Sequence, residues 1–111
     1  QRDTSLEWLH AIHRHPEVGF EEVLTSALIA ERLSAFGYDV VSGIGGTGVV
    51  GSLHGASATA DNPGRCVAFR AELDALPMDE KADVPNASEI AGKFHGCGHD
   101  DHMVTALTAA A

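Results

Sequence analysis

The segment at residues 95–102, His-Gly-Cys-Gly-His-Asp-Asp-His, restricts most strongly what this chain can fold into. Imidazole, thiolate and carboxylate groups at this density suit a divalent transition metal, because they are its usual protein ligands. The two glycines let the backbone turn tightly and bring neighbouring side chains to one point. The sequence therefore predicts a metal-binding loop that leads into a helix.

Within this segment we predict that Cys97 and His99 are metal ligands, since one glycine separates them and both side chains can reach one ion. Sulfur and nitrogen donors together suit zinc, nickel, cobalt or manganese. His102 follows one helical turn later and is either a further ligand or a residue that supports one. Asp100 is placed to accept a hydrogen bond from an imidazole N–H and so orient the ring. A closed zinc clip and a solvated histidine-rich loop are the alternatives.

Length and charge limit the class of partner. The chain has 111 residues, 44% of them hydrophobic, which allows one modest domain or part of one. Seven Lys and Arg against 16 Asp and Glu give a net charge of -9, which disfavours nucleic acid and anionic membrane as partners. A small molecule or a metal is the natural partner.

Cysteine usage and the chain ends bear on the compartment and on completeness. Two cysteines are too few for a disulfide scaffold, and no apolar run matches a membrane span or a signal peptide, so we expect a cytoplasmic protein. The chain starts at Gln1 without Met and stops at Ala111 in a helix-favouring stretch. We therefore expect a fragment of a longer protein.

Hydrophobic periodicity predicts an α/β fold, with helices packed on a mixed sheet and the chemistry on loops. A Thr4/Glu7 capping box should open a first helix over residues 5–14, which Pro16 ends. The remaining predicted elements are a helix over residues 20–36, strands at 39–42, 47–53 and 66–69, a surface loop at 55–64, and a helix from about residue 101.

Two short motifs are rejected as functional sites. Residues 43–48, Gly-Ile-Gly-Gly-Thr-Gly, match a dinucleotide-binding pattern, but a β-branched strand follows where that motif requires a helix, so a hairpin turn is predicted. Residues 86–88 form a glycosylation sequon, which we interpret as ordinary loop sequence because no export signal is visible.

Other titratable residues receive weaker assignments. The histidines at 10, 13 and 15 are interpreted as exposed or packing residues, His54 as a lone histidine at a strand end, and Cys66 as a small buried hydrophobic residue. Arg70, Glu72 and Asp74 alternate with apolar residues and should share one face, as a salt-bridged edge or as the wall of an active site. We predict that Asp74 is the functional member.

Several motifs together resemble the family of metal-dependent N-acyl-amino-acid amidohydrolases that includes hippurate hydrolases and indoleacetyl-amino-acid hydrolases. They occur in the family's order and span nearly the whole chain: residues 15–22 (HPEVGFEE), 46–50 (GTGVV), 70–77 (RAELDALP), Ser88 and 92–100 (GKFHGCGHD). Glu72, where Asp is commoner, and Asp101, where a small residue is usual, depart from the pattern but leave the predicted ligands intact.

The resemblance implies a zinc-peptidase-like catalytic domain, of which residues 1–111 are the N-terminal portion. It implies two divalent ions, Cys97 and His99 as ligands, and Asp74 as the catalytic acid that supports a ligand. The implied reaction is hydrolysis of N-acyl amino acids, a small-molecule substrate class. The catalytic glutamate, the other ligands and a lid or dimerisation domain would follow Ala111. The resemblance therefore leaves open whether the complete protein is a homo-oligomer. It also implies that residues 1–111 alone are inactive.

Two alternatives from other classes remain. One is a non-catalytic metal-binding or interaction module that retains the fold without the rest of the enzyme. The other is a thiol-dependent redox protein that uses Cys97. The absence of a resolving cysteine near Cys97 in the sequence argues against this alternative.

Overall fold

A computed structural model describes residues 2–55, 61 and 64–111 of the chain. In these residues the fold consists of three helices and one hairpin. The elements in chain order are α1 (Arg2–Arg14), α2 (Val23–Ala35), β1 (Asp39–Ile44), β2 (Gly48–Ser52) and α3 (His99–Ala110). None of the described helices is long and apolar enough to cross a membrane.

The core lies where the three helices meet. Its buried members come from α1, α2 and α3, and they are Ile12, Ile29, Met103, Val104 and Leu107. The predicted α/β class is confirmed, and residues 20–36 do contain the predicted helix, although it begins later, at Val23. The sheet of the described residues is two-stranded and antiparallel, whereas a mixed sheet was predicted.

The hairpin confirms the turn that was predicted within residues 43–48. β1 and β2 pair antiparallel, with Val41 opposite Val50 and an irregularity between Ser42 and Ile44. Gly51 lets α2 approach closely, because a Cβ atom there would lie 3.0 Å from Leu33 Cδ1. The hairpin is thus packed against α2.

Several predicted boundaries were wrong. α1 begins at Arg2, so Thr4 lies inside the helix and does not cap it. Phe20 has a positive φ of 68°, which excludes it from α2. α3 begins at His99, two residues before the predicted start. Of the predicted loop at residues 55–64, positions 56–60 and 62–63 lie outside the described residues.

The predicted strand at residues 66–69 does not form. Val67 and Phe69 are each 80% exposed, and no strand among the described residues pairs with this segment. An isolated strand has no partner for its backbone N–H and C=O groups, so apolar composition alone does not produce it. Cys66 is consequently exposed, and its interpretation as a buried residue was wrong.

Glu17 provides the cap for α2 from six residues before the helix starts. Its carboxylate accepts hydrogen bonds from the backbone N–H groups of Val23, Leu24 and Thr25 at 2.7–3.0 Å, and one from the Thr25 hydroxyl. Glu22, at the N-cap position itself, makes no side-chain cap bond. Burial raises the pKa of Glu17, but the hydrogen bonds from Thr25, Leu24 and Val23 outweigh it and lower the pKa below its ordinary 4.5.

We predict that Glu17→Gln destabilises the protein at pH 7 by about 1–2 kcal/mol, as expected for loss of a strong cap. Because the folded-state pKa is lowered, this stabilisation is present above pH 4.5 and is lost as the pH falls through the lowered value. Urea unfolding of both proteins across this pH range measures the difference.

Glu21→Gln is the matched control, since the exposed carboxylate of Glu21 forms a surface ion pair with Lys93 and does not cap a helix. It should change the free energy of unfolding little. A Glu17→Gln effect that is no larger than that of the control, or that does not shrink at low pH, would contradict the capping role.

Candidate metal centre

Backbone contacts fix the segment that carries Asp74 beside the start of α3. The Ala75 N–H donates to the Glu17 carbonyl at 2.8 Å, and Leu76 and Phe94 exchange two backbone hydrogen bonds of 2.9 and 3.0 Å. Ala75 is buried. Asp74 is therefore held between the chain that precedes α2 and the chain that leads into α3.

His99, the first residue of α3, is oriented by Asp74. Its Nδ1 lies 2.9 Å from the backbone carbonyl oxygen of Asp74 and 3.1 Å from a carboxylate oxygen of the same residue. A carbonyl oxygen can only accept a hydrogen bond, so Nδ1 must carry the proton. In the neutral ring, Nε2 then has a free lone pair, which is the form that binds a metal.

His102, one turn further along α3, has the same arrangement with Glu72. Its Nδ1 lies 3.0 Å from a Glu72 carboxylate oxygen, and the other oxygen accepts a 2.6 Å hydrogen bond from Arg70. The hydrogen bond from His102, supported by Arg70, lowers the pKa of Glu72 to about 2. Glu72 is thus an ionised acceptor, and His102 also carries its proton on Nδ1.

The two imidazoles are adjacent and fit a divalent metal. Their ring centroids are 5.7 Å apart with an interplanar angle of 32°. One ligand atom each from Glu72, His99 and His102 lies within 4.8 Å of the other two. Ligand atoms bound to one zinc at about 2.0–2.2 Å lie roughly 3–4 Å apart. Because Glu72 is already hydrogen-bonded to His102, the two imidazoles are the candidate ligands of this set.

Cys97 is not in this group of three residues. It is exposed, on the loop before α3, and Gly98 adopts the left-handed conformation that the loop requires, with φ of 77°. Its assignment as a ligand stays a prediction based on sequence. Glu72 enters the group although the sequence favoured Asp74 alone; the alternation of charged residues from Arg70 was the signal for it.

Asp100 contacts an imidazole, but one that the sequence did not suggest. Its buried carboxylate lies 2.6 Å from Nδ1 of His13, which comes from α1. His13 is partly buried, with side-chain exposure of 16%, so it is neither a free surface residue nor a simple packing residue. Its spacing of four residues from Leu9, which packs on the core, was the signal in the sequence that it faces inward.

His95 is the second histidine whose environment sequence reasoning missed. It is buried, and within the described part of the chain neither ring nitrogen has a hydrogen-bond partner. Burial is the main reason that the pKa of His95 is lowered, so the ring is neutral near pH 7. A buried polar group without a partner is unusual in a complete protein structure.

Comparison with known proteins finds one family to which the chain is similar. Residues 68–111 match the model of peptidase family M20/M25/M40. The chain is 43% identical to the hippurate hydrolase of Campylobacter jejuni over 91% of this chain and 25% of that protein. It is 38% identical to the IAA-amino acid hydrolase ILR1-like 5 of Arabidopsis thaliana over 99% of this chain and 25% of that protein.

A solved structure agrees in fold. The Bacillus subtilis YXEP protein, described as a dinuclear metal binding peptidase from the M20 family, superposes with a TM-score of 0.83 at 31% identity. The match covers 97% of this chain and 30% of that one. The family resemblance is thus confirmed, and the chain is related to the M20 peptidases. It spans about a quarter of the length of the curated relatives it matches.

We predict that Glu72 in the metal-free protein titrates with a pKa of about 2 and remains ionised at pH 4. ¹³C NMR of the labelled carboxyl group measures this directly. His102→Gln should raise the pKa of Glu72, because the hydrogen bond from His102 is its largest cause, and Arg70→Gln should raise it less. An ordinary pKa in the unmutated protein would contradict the pairing.

Proposed function

We propose that the complete protein to which this chain belongs is a metal-dependent hydrolase that cleaves the amide bond of N-acyl amino acids. The observation that carries the proposal is the pair of imidazoles of His99 and His102, each held at Nδ1 by a carboxylate, with no hydrogen-bond partner for Nε2 among the described residues. The names of the hippurate and IAA-amino acid hydrolases support amide conjugates of amino acids as the substrate class.

Divalent metal, when bound, would acidify a water molecule and polarise the amide carbonyl. In this proposal His99 and Cys97 hold the metal, and His102 contributes a further nitrogen or supports the site. Asp74 fixes the tautomer and direction of His99 and stabilises positive charge on the ring. Zinc, manganese, cobalt and nickel all suit such nitrogen and sulfur donors, and two ions per complete site are proposed.

The proton acceptor for the attacking water is proposed to lie outside this chain. The carboxylates closest to the proposed ligands are already engaged: Asp74 with His99, Glu72 with His102, and Asp100 with His13. A general base needs a free lone pair directed at the water. We therefore infer that residues 1–111 form one part of a catalytic domain and do not turn over substrate alone.

We predict that Cys97→Ser and His99→Ala each sharply reduce the metal content of the complete protein, because each removes a proposed ligand. Elemental analysis after dialysis at a fixed zinc concentration measures the stoichiometry. Cys66→Ser and His54→Ala are matched controls, as both residues are exposed and outside the site. Unchanged metal content in both ligand variants would contradict the assignment.

We predict that Asp74→Asn lowers kcat of the complete protein by at least about 10- to 100-fold. The substitution keeps the shape and removes the charge that stabilises His99. The Asp74 side chain is 41% exposed, so the melting temperature should change little. Release of free amino acid from hippurate measures the activity, and Asp83→Asn, in an exposed loop, is the control. A large stability loss with activity per folded molecule preserved would instead favour a structural salt bridge.

A further inference from the structure

We propose that His13 is a positioning residue that fixes the first turn of α3 through Asp100 and thereby sets the metal affinity of His99 and His102. The inference rests on the proposed metal centre and adds a residue from the opposite end of the chain. His13 and Asp100 are 87 positions apart in sequence. No metal ligand needs to contact His13 for this role.

The bridge is short and shielded from solvent. His13 Nδ1 lies 2.6 Å from Asp100 Oδ2, and His13 Nε2 lies 3.3 Å from Glu80 Oε1. Both carboxylate side chains are 6% exposed. The other oxygen of Glu80 accepts a 2.6 Å hydrogen bond from the Ser88 N–H, so the bridge connects α1, the loop before the metal cluster, and α3.

The ring must donate from both nitrogens to satisfy two carboxylates, which makes His13 a cation between two anions. Burial opposes this charge, but the hydrogen bonds that His13 donates to Asp100 and Glu80 outweigh it and raise the pKa of His13. The ring edge of Phe94 contacts His13 from the side, with the centroids 5.6 Å apart at 84°. The imidazole is thus fixed in direction as well as in charge.

The first turn of α3 needs such an external anchor. Its N-cap is Gly98, which has no side chain, and no side-chain hydrogen bond caps the helix. Asp100 could have bonded to a free N–H group of that turn, but its carboxylate is directed to His13 instead. His99 and His102 lie on either side of Asp100, so a shift of this turn would move both imidazoles.

The test is the zinc affinity of the complete protein, measured by competition with a chromogenic chelator at a temperature where circular dichroism shows a folded protein. We expect His13→Gln to weaken zinc binding about 10- to 100-fold, as removal of a residue that supports a ligand usually does. Asp100→Asn should have a similar effect. The double variant should bind zinc about as tightly as the single variant with the lower zinc affinity, because the two residues act as one unit.

Two controls separate positioning from general stability. His15→Gln, two residues along, removes an exposed contact with Glu89 and should bind zinc like the unmutated protein. Val104→Ala leaves a cavity in the core of the same helix, so it should lower the melting temperature and leave the zinc affinity of the folded protein unchanged. If His13→Gln does not fold, Asp100→Asn is compared with the same controls.

If His13→Gln binds zinc as tightly as the unmutated protein, or loses no more zinc affinity than Val104→Ala does, this inference is overturned and the proposed function is unaffected. Additive losses in the double variant would also overturn it, because His13 would then not act through Asp100. Failure of the unmutated protein to bind zinc would contradict the proposed function itself, and this inference with it.

Discussion

The placement of Asp74 against His99 is the contact on which the proposed chemistry depends. It joins positions 25 residues apart, and it requires that the chain around Ala75 be held in place. Glu17 does this with its backbone carbonyl, which accepts the Ala75 N–H, while its carboxylate caps α2. One residue thus couples the start of a core helix to the carboxylate that orients a proposed ligand.

The motifs on which the family resemblance rests acquire physical meanings in this arrangement. The carboxylate of Glu22 is buried and accepts a 2.7 Å hydrogen bond from the Thr47 hydroxyl, which connects the entry to α2 with the hairpin turn. Ser88 donates its hydroxyl to the carbonyl of Lys93 at 2.7 Å and so shapes the loop before the histidine cluster. These residues build the scaffold, and only the segments around Asp74 and His99 carry the proposed chemistry.

Local sequence patterns predicted the parts of the fold that local forces determine. The apolar stripe of α2 and the glycine-rich turn of the hairpin need only neighbouring residues, and both were predicted. The failures involve partners distant in sequence. Residues 66–69 have strand composition, but a strand requires a neighbour to pair with, which composition does not reveal. The bridge between His13 and Asp100 likewise depends on how α1 packs on α3, and no local spacing encodes that packing.

We propose that Asp74 and Glu72 hold His99 and His102 in one tautomer, with the proton on Nδ1 and the lone pair of Nε2 available to a metal. ¹⁵N NMR of the imidazole nitrogens in the metal-free protein, at a pH where both rings are neutral, tests it most directly. We expect both rings to be protonated on Nδ1, as the acceptors beside those atoms require. Protonation on Nε2 in His99 would contradict it, because that nitrogen would then have no lone pair to offer a metal.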